Sequence, residues 1–250
     1  MRTKSGTMVN LADILDENDR AVYAASGYGA RAGFGVRPVL LVVDVNFNFC
    51  GDSPKPILES VKLWRNSCGE QAWAAVPQIA ALIADARAHR IPIIYSTGAD
   101  LRSDGFEAGR WADKNSRRGE DHARNRLLGN EIVPPIAPQP HDLVIKKGKP
   151  SVFFGTQLGS YLTDLQADSV IVCGATTSGC VRATVLDGFS NNYRMSVVEE
   201  CTFDRGQLSH RVNLFDMDQK YADVVSLRET SAFLCQLPRD LFTGLMPTVA

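Results

Sequence analysis

Residues 169–189, SVIVCGATTSGCVRATVLDGF, decide how the rest of the chain is read. Val170 to Cys173 is a short apolar run and predicts a buried strand. Gly174 breaks the run, a small polar turn follows, and a helix is expected to begin near Cys180. From there Val181, Val185 and Phe189 recur every four residues, which is one helical face. A cysteine is thereby delivered to the start of a helix, on the carboxyl side of a strand. In an open α/β sheet, ligands bind at that edge. A helix start offers unpaired N–H groups and a partial positive charge, which favour thiolate over thiol and predict a lowered thiol pKa. Cys180 is therefore the candidate nucleophile. By position alone it also reads as a small buried apolar residue, so the assignment depends on what else reaches that rim.

Working outward, further strands are expected at 38–43, 91–95, 142–146, 194–199 and 222–227. Helices are expected at Glu70–His89, at about Gln157–Leu165, around His210–Tyr221 and up to Leu237, with a shorter one between Pro54 and Cys68. Strand and helix alternate throughout, the signature of a parallel sheet covered on both faces. The expectation is an α/β fold with a six-stranded sheet in three layers, occupying residues 37–250. Residues 1–36 read as an N-terminal arm, helical over Leu11–Tyr28 and loosened by glycines, of a kind that often packs on a neighbouring subunit. The stretch from Asp100 to Asp142 is long, charged and irregular, and such loops usually act as lids or binding loops. Trp111 within it is a candidate pocket or interface residue. Arg117, Arg118, Arg124 and Arg126 read as solvated or subunit-contacting.

Bulk properties exclude several classes. The 250 residues carry a net charge of −1, so there is no basic field for nucleic acid. No apolar run approaches the roughly 18 residues of a membrane span, and the first residues lack a signal-peptide core. Six cysteines with no CxxC pair suit free thiols in the cytoplasm rather than a disulfide frame.

Three chemistry-bearing positions lie at or just past predicted strand ends. Asp44 closes the run PVLLVV, Lys146 and Lys147 close DLVIK, and Cys180 follows VIVC. Each has a bland alternative: a loop-initiating or capping Asp, solvated lysines, a buried thiol. Together they make a coherent amide-cleaving set. The carboxylate takes the thiol proton, the ammonium stabilises both anions, and N–H groups hold the oxyanion, at about 3–4 kcal/mol per donor. Rival readings are a non-catalytic interaction module and a redox pair of Cys173 with Cys180. The module does not need all three groups, and the redox pair is disfavoured by the absence of CxxC and the burial expected of Cys173 on its strand.

The blocks VLLVVDVNFNF, VIKKGKPSVFFGTQL and VIVCGATTSGCVRATVLDG, with ECTFDR after them, resemble the signature blocks of the isochorismatase-like cysteine hydrolases. The likeness runs from about Arg37 to Leu237, and is strongest to the amidohydrolases of N-carbamoylsarcosine and maleamate. The alternative it leaves open is a hydrolase of the same fold acting on a biuret-like urea, ureidoacrylate or nicotinamide. It implies a catalytic triad of Asp44, Lys147 and Cys180, with Lys147 preferred over Lys146 because it precedes Ser151 by four residues. It implies a cis peptide between Ala175 and Thr176 that shapes the oxyanion site. It also implies that Arg205 grips a substrate carboxylate; read without it, Arg205 suggests a structural salt bridge. Thr176 and Thr177 would add hydrogen bonds to substrate. A homo-oligomer, tetramer or dimer, is expected, and no cofactor. Two departures stand out. Many members carry Gln where this chain has Asn46, another candidate substrate contact. The Asp-x-His pair of metal-binding nicotinamidases is replaced by STGAD, so no catalytic metal is expected.

Overall fold

The computed structural model describes residues 15–99, 106–114, 117 and 128–245. Six strands form one sheet: β1 (Pro38–Val43), β2 (Ile93–Gly98), β3 (Leu143–Lys147), β4 (Ser169–Ala175), β5 (Arg194–Phe203) and β6 (Asp223–Val225). Their order is β3-β2-β1-β4-β5-β6, and every neighbouring pair is parallel. Chain order reverses between β1 and β4, where a doubly wound sheet opens a crevice beyond its carboxyl ends. All six residues of β1 are buried. That explains why PVLLVV is a continuous apolar run, as a strand covered on both faces must be.

Eight α-helices occur among the described residues: α1 (Glu17–Ser26), α2 (Phe47–Cys50), α3 (Ile57–Leu63), α4 (Glu70–Ala88), α5 (Leu158–Asp164), α6 (Arg182–Ser190), α7 (Gln207–Lys220) and α8 (Leu227–Leu234). Helices α4 and α8 pack on each other and on β5; α6 and α7 pack on each other and on β5 and β6. The expected α/β fold with a six-stranded, all-parallel sheet is the one found. No helix of the described residues is long and apolar enough to cross a membrane.

The strands run further toward the site than their apolar cores suggested. β2 continues through Ser96-Thr97-Gly98, which pair with Ile145-Lys146-Lys147 of β3. β5 continues past Glu199 and Glu200, and beyond a register shift opposite Val172–Gly174 it pairs Thr202 with Gly174 and Phe203 with Ala175. Polar residues mask a strand in the sequence when they sit at its functional end. Gly174 is required where it stands. Its φ is +106°, and a Cβ there would lie 2.1 Å from the Val43 carbonyl oxygen.

The described part of the N-terminal arm packs on its own chain. Tyr23 meets Phe215 edge-on at 4.9 Å between centroids, Gly29 N–H donates to the Gln219 carbonyl, and Gly33 N–H donates to the Asp223 carboxylate at 2.7 Å. Arg118, Arg124 and Arg126 lie outside the described residues. Arg117 donates to the Val61 carbonyl at 3.0 Å.

Candidate active site

Asp44 is the first residue after β1. Its backbone sits in the left-handed region at φ +51°, which a short polar side chain tolerates better than most. Its N–H donates to the Ser96 carbonyl, and Ser96 Oγ donates to Asp44 Oδ1 at 2.9 Å. Those bonds leave Oδ2 facing Lys147, whose Nζ lies 2.7 Å away with both side chains 3% exposed. Lys147 is the last residue of β3. Alternation along that strand turns Lys147 inward and leaves Lys146 exposed, so Lys147 is the lysine that reaches Asp44 and Cys180.

The Lys147 ammonium makes three contacts, matching its three N–H donors. They are Asp44, the Lys149 carbonyl oxygen at 3.2 Å and Cys180 Sγ at 3.3 Å. Carboxylate, ammonium and thiol from three strand ends therefore meet in one buried cluster above the β1/β4 crevice. Burial alone would depress the lysine; the Asp44 and Cys180 charges, with their hydrogen bonds, outweigh it and raise its pKa. Lys147 is a cation here.

A helix begins near Cys180 as expected, but the cysteine lies just before it rather than in its first turn. It lies in a π-type turn, Thr177–Val181, inside which Gly179 departs from helical geometry (φ −111°, ψ −105°), and α6 begins only at Arg182. The expected lowering of its pKa is also corrected. Burial first, then the neighbouring Asp44 charge, push the thiol up to about 12, and Lys147 offsets this only in part. Cys180 is 2% exposed, so desolvation of a thiolate exceeds what the turn's N–H groups return. The resting group is a thiol beside the Asp44 carboxylate.

The peptide bond between Ala175 and Thr176 is cis, as the resemblance implied. Ala175 and Thr176 are buried and lead directly into the turn. Thr177 is fully buried, and its hydroxyl pairs with His210 Nδ1 at 2.8 Å, so its known partner is inside the protein. Asn46 is likewise engaged. It caps α2 by accepting from Phe49 N–H at 3.3 Å and donates to Thr97 Oγ1 at 2.9 Å. The geometry gives it a positioning role in the segment after Asp44. Trp111 is 48% exposed on a 3-10 stretch, Phe106–Lys114, whose Gly109 lies beside the Lys149 ammonium.

Arg205 is exposed. Its guanidinium carbon stands 6.0 Å from the centre of the Phe49 ring, and it hydrogen-bonds the Cys68 thiol. The salt bridge that Arg205 suggests in isolation is not formed with any carboxylate among the described residues.

Four supporting groups escaped the sequence reading: Ser96 and the Lys149 carbonyl, described above, and Asp204 and Thr184. Thr184 Oγ1 donates to the Cys180 carbonyl at 2.7 Å and accepts from Val152 N–H at 3.1 Å. The proximity of Ser96 and Asp204 to predicted strand ends was the available signal. A cavity of about 390 Å³ lies beside this region, lined in part by Gln71, Gln78, Glu199, Glu200, Asp204 and His210. None of the three clustered side chains lines it. Cys173 is fully buried on β4, with its thiol pushed up by burial, which disfavours the redox reading. Among the described residues no three His, Cys, Asp or Glu side chains are grouped to hold a metal ion.

Such a sheet, with a thiol, an ammonium and a carboxylate in contact at its switch point, defines an α/β protein equipped as a cysteine hydrolase. Comparison with known proteins narrows this. The family described as Isochorismatase domain matches residues 38–229, and the chain belongs to that isochorismatase-like hydrolase family. It is 31% identical to the maleamate amidohydrolase of Pseudomonas putida over 205 residues, spanning 81% of this chain and 89% of that one. It is 30% identical to the N-carbamoylsarcosine amidase of an Arthrobacter species over 250 residues, spanning 96% and 89%. A crystal structure of a cysteine hydrolase from Pseudomonas syringae shares the fold, with a TM-score of 0.69 at 23% identity, covering 79% of this chain and 92% of that one.

Proposed function

We propose that the chain is an amidohydrolase that cleaves the C–N bond of a small amide or N-carbamoyl compound bearing a carboxylate, and releases ammonia. Maleamate and N-carbamoylsarcosine are the leading substrates. The observation that carries this reading is the Lys147 ammonium lying between the Asp44 carboxylate and the Cys180 sulfur.

In this mechanism Asp44 takes the proton from Cys180 as the substrate carbonyl arrives. Sulfur bonds to the carbonyl carbon, and the electron pair moves to oxygen, held by the N–H groups of Thr176 and Cys180. Asp44 passes its proton to the leaving nitrogen, the C–N bond breaks, and ammonia departs from a thioester. Water then attacks the thioester with Asp44 as base. The C–S bond breaks, and the proton returns from Asp44 to sulfur. Lys147 compensates whichever of its two neighbours is anionic. A thiol pushed up to about 12 makes direct contact with a base necessary, since little free thiolate exists near neutrality. Arg205 pairs with the substrate carboxylate through its two-pronged guanidinium.

The test is an ammonia-release screen over N-carbamoylsarcosine, maleamate and biuret, with Cys180→Ala alongside. Turnover of an acid amide that vanishes in Cys180→Ala is the expected result. Ammonia release that survives this substitution overturns the reading.

A further inference from the structure

The turn carrying Cys180 is closed by backbone bonds from Gly179 N–H and Val181 N–H to the Thr176 carbonyl, and Gly179 leaves helical geometry inside it. Side chains from the next strand–helix unit hold it as well. Asp204 directly follows Phe203, the residue of β5 that pairs with Ala175 of β4. Its carboxylate is buried, at 4% exposure. Oδ2 accepts from Ser178 N–H at 2.7 Å and from Ser178 Oγ at 2.6 Å. Oδ1 accepts from Arg205 N–H at 2.7 Å. Beside it, His210 of α7 holds the Thr177 hydroxyl. No cation among the described residues forms an ion pair with Asp204. Three hydrogen-bond donors are what offset the burial of this carboxylate.

Both Asp204 oxygens therefore lead to groups the reaction needs. One fixes the turn two residues before the sulfur. The other fixes the backbone of the arginine that faces a substrate carboxylate. We propose, building on the thiol-hydrolase reading above, that Asp204 is a positioning residue that sets the separation between the Cys180 sulfur and the Arg205 guanidinium. It thereby selects substrates whose scissile carbonyl and carboxylate lie at that spacing. His210 is the second arm of the same brace, acting through Thr177.

The test compares wild type, Asp204→Asn and Ser178→Ala. An asparagine presents one acceptor where the site uses two, so one of the two arms is lost. Ser178→Ala is gentler: it removes the hydroxyl arm and keeps the backbone bond. Reading kcat and KM on the best acid amide, we expect Asp204→Asn to lose about 10²-fold in kcat and Ser178→Ala about tenfold, as small misplacements of reacting groups do. KM in Ser178→Ala should stay within about twofold of wild type, because that substitution leaves the Arg205 arm intact. Iodoacetamide alkylation at Cys180, followed by mass spectrometry, should change in rate in both variants.

If both variants keep wild-type kcat and Cys180 alkylation while only their melting temperatures fall, Asp204 is a fold-stabilising residue and the proposal is overturned. Should Asp204→Asn fail to fold, Ser178→Ala alone decides. Should the wild type hydrolyse no amide, the functional reading fails, yet the alkylation rates still judge the brace.

Discussion

Asp44 and Lys147 form an ion pair at 2.7 Å in which both side chains are 3% exposed. An isolated pair at that depth gains less from attraction than it costs to desolvate, unless further hydrogen bonds complete it. Here Ser96 completes the carboxylate, and the Lys149 carbonyl and Cys180 complete the ammonium. Removing one partner strands the other. Lys147→Met, which keeps the length of the side chain, should lower unfolding stability by about 3–5 kcal/mol. The double variant Asp44→Asn/Lys147→Met should lose less than the sum of the two singles. Urea titrations of the four proteins measure both quantities. A single-variant cost below about 1 kcal/mol would show that the pair is not desolvated as described.

The Asp44 charge is the second cause, after burial, that raises the Cys180 thiol. Asp44→Asn removes that charge while Lys147 stays beside the sulfur, so the thiol pKa should fall. Asparagine also accepts the left-handed backbone at this position. Cys180 in Asp44→Asn is expected to alkylate faster than wild type at pH 8, by about tenfold for each unit the pKa drops. Ammonia release should fall by about 10²–10⁴-fold, the usual contribution of a general base. Rate and activity thus move in opposite directions. A slower alkylation would mean that Asp44 already draws the proton off in the resting state.

Buried thiols also set an alkaline limit on stability. Cys68 and Cys180 are each pushed up to about 12, mainly by burial, and Cys50, Cys173 and Cys201 are raised for the same first reason. A thiol in the unfolded chain titrates near 9.0. Above that pH the unfolded state gives up protons that the folded state keeps, so stability is intact below about 9 and is lost as pH rises toward the folded values. Each such thiol should contribute about 1.4 kcal/mol of loss per pH unit in that window. Urea midpoints from pH 8 to 10.5 should decline, and Cys173→Ala should make the decline shallower. A flat profile would contradict the burial of these groups.

How much of this was visible in the chain beforehand depends on what each residue does physically. The six strands were legible because most are apolar runs buried on both faces, and four of the five connections between them carry helical periodicity. The fifth, residues 100–142, reads as an irregular charged loop. Asp44 and Lys147 were legible because each abuts an apolar run, and Cys180 because it lies in the polar turn between a strand and a helix. The strand ends were not. Ser96-Thr97-Gly98 and Cys201-Thr202-Phe203 are polar or irregular because they serve the rim, and hydropathy reads that as a loop. Neither was the raised thiol of Cys180 visible, since a turn sequence does not disclose how deeply the neighbouring lysine and aspartate bury it. Asn46 and Thr177 illustrate the same limit. Their types suit a ligand, but the partners they find are Thr97, Phe49 N–H and His210.

Arg205 is the group whose role the fold leaves most open to solvent, and so to substrate. Its guanidinium lies over Phe49, a residue of α2 just beyond Asp44, and its neighbouring carboxylate, Asp204, is occupied by Ser178 and by the Arg205 backbone. An exposed cation with an aromatic floor and no carboxylate among the described residues suits an anionic ligand. If it holds the substrate carboxylate, Arg205→Gln should raise KM for an acid amide by about 10–100-fold, the range of a hydrogen bond to a charged group. It should leave kcat/KM for a carboxylate-free amide of similar size within about twofold, because that substrate makes no use of the charge. Arg205→Lys should recover only part of the loss, since an ammonium keeps the charge and lacks the planar fork. Steady-state kinetics on the paired amides separate these cases. Equal losses on both substrates would assign Arg205 to the wall of the site through Phe49 and Cys68, and would remove the carboxylate from the description of the substrate.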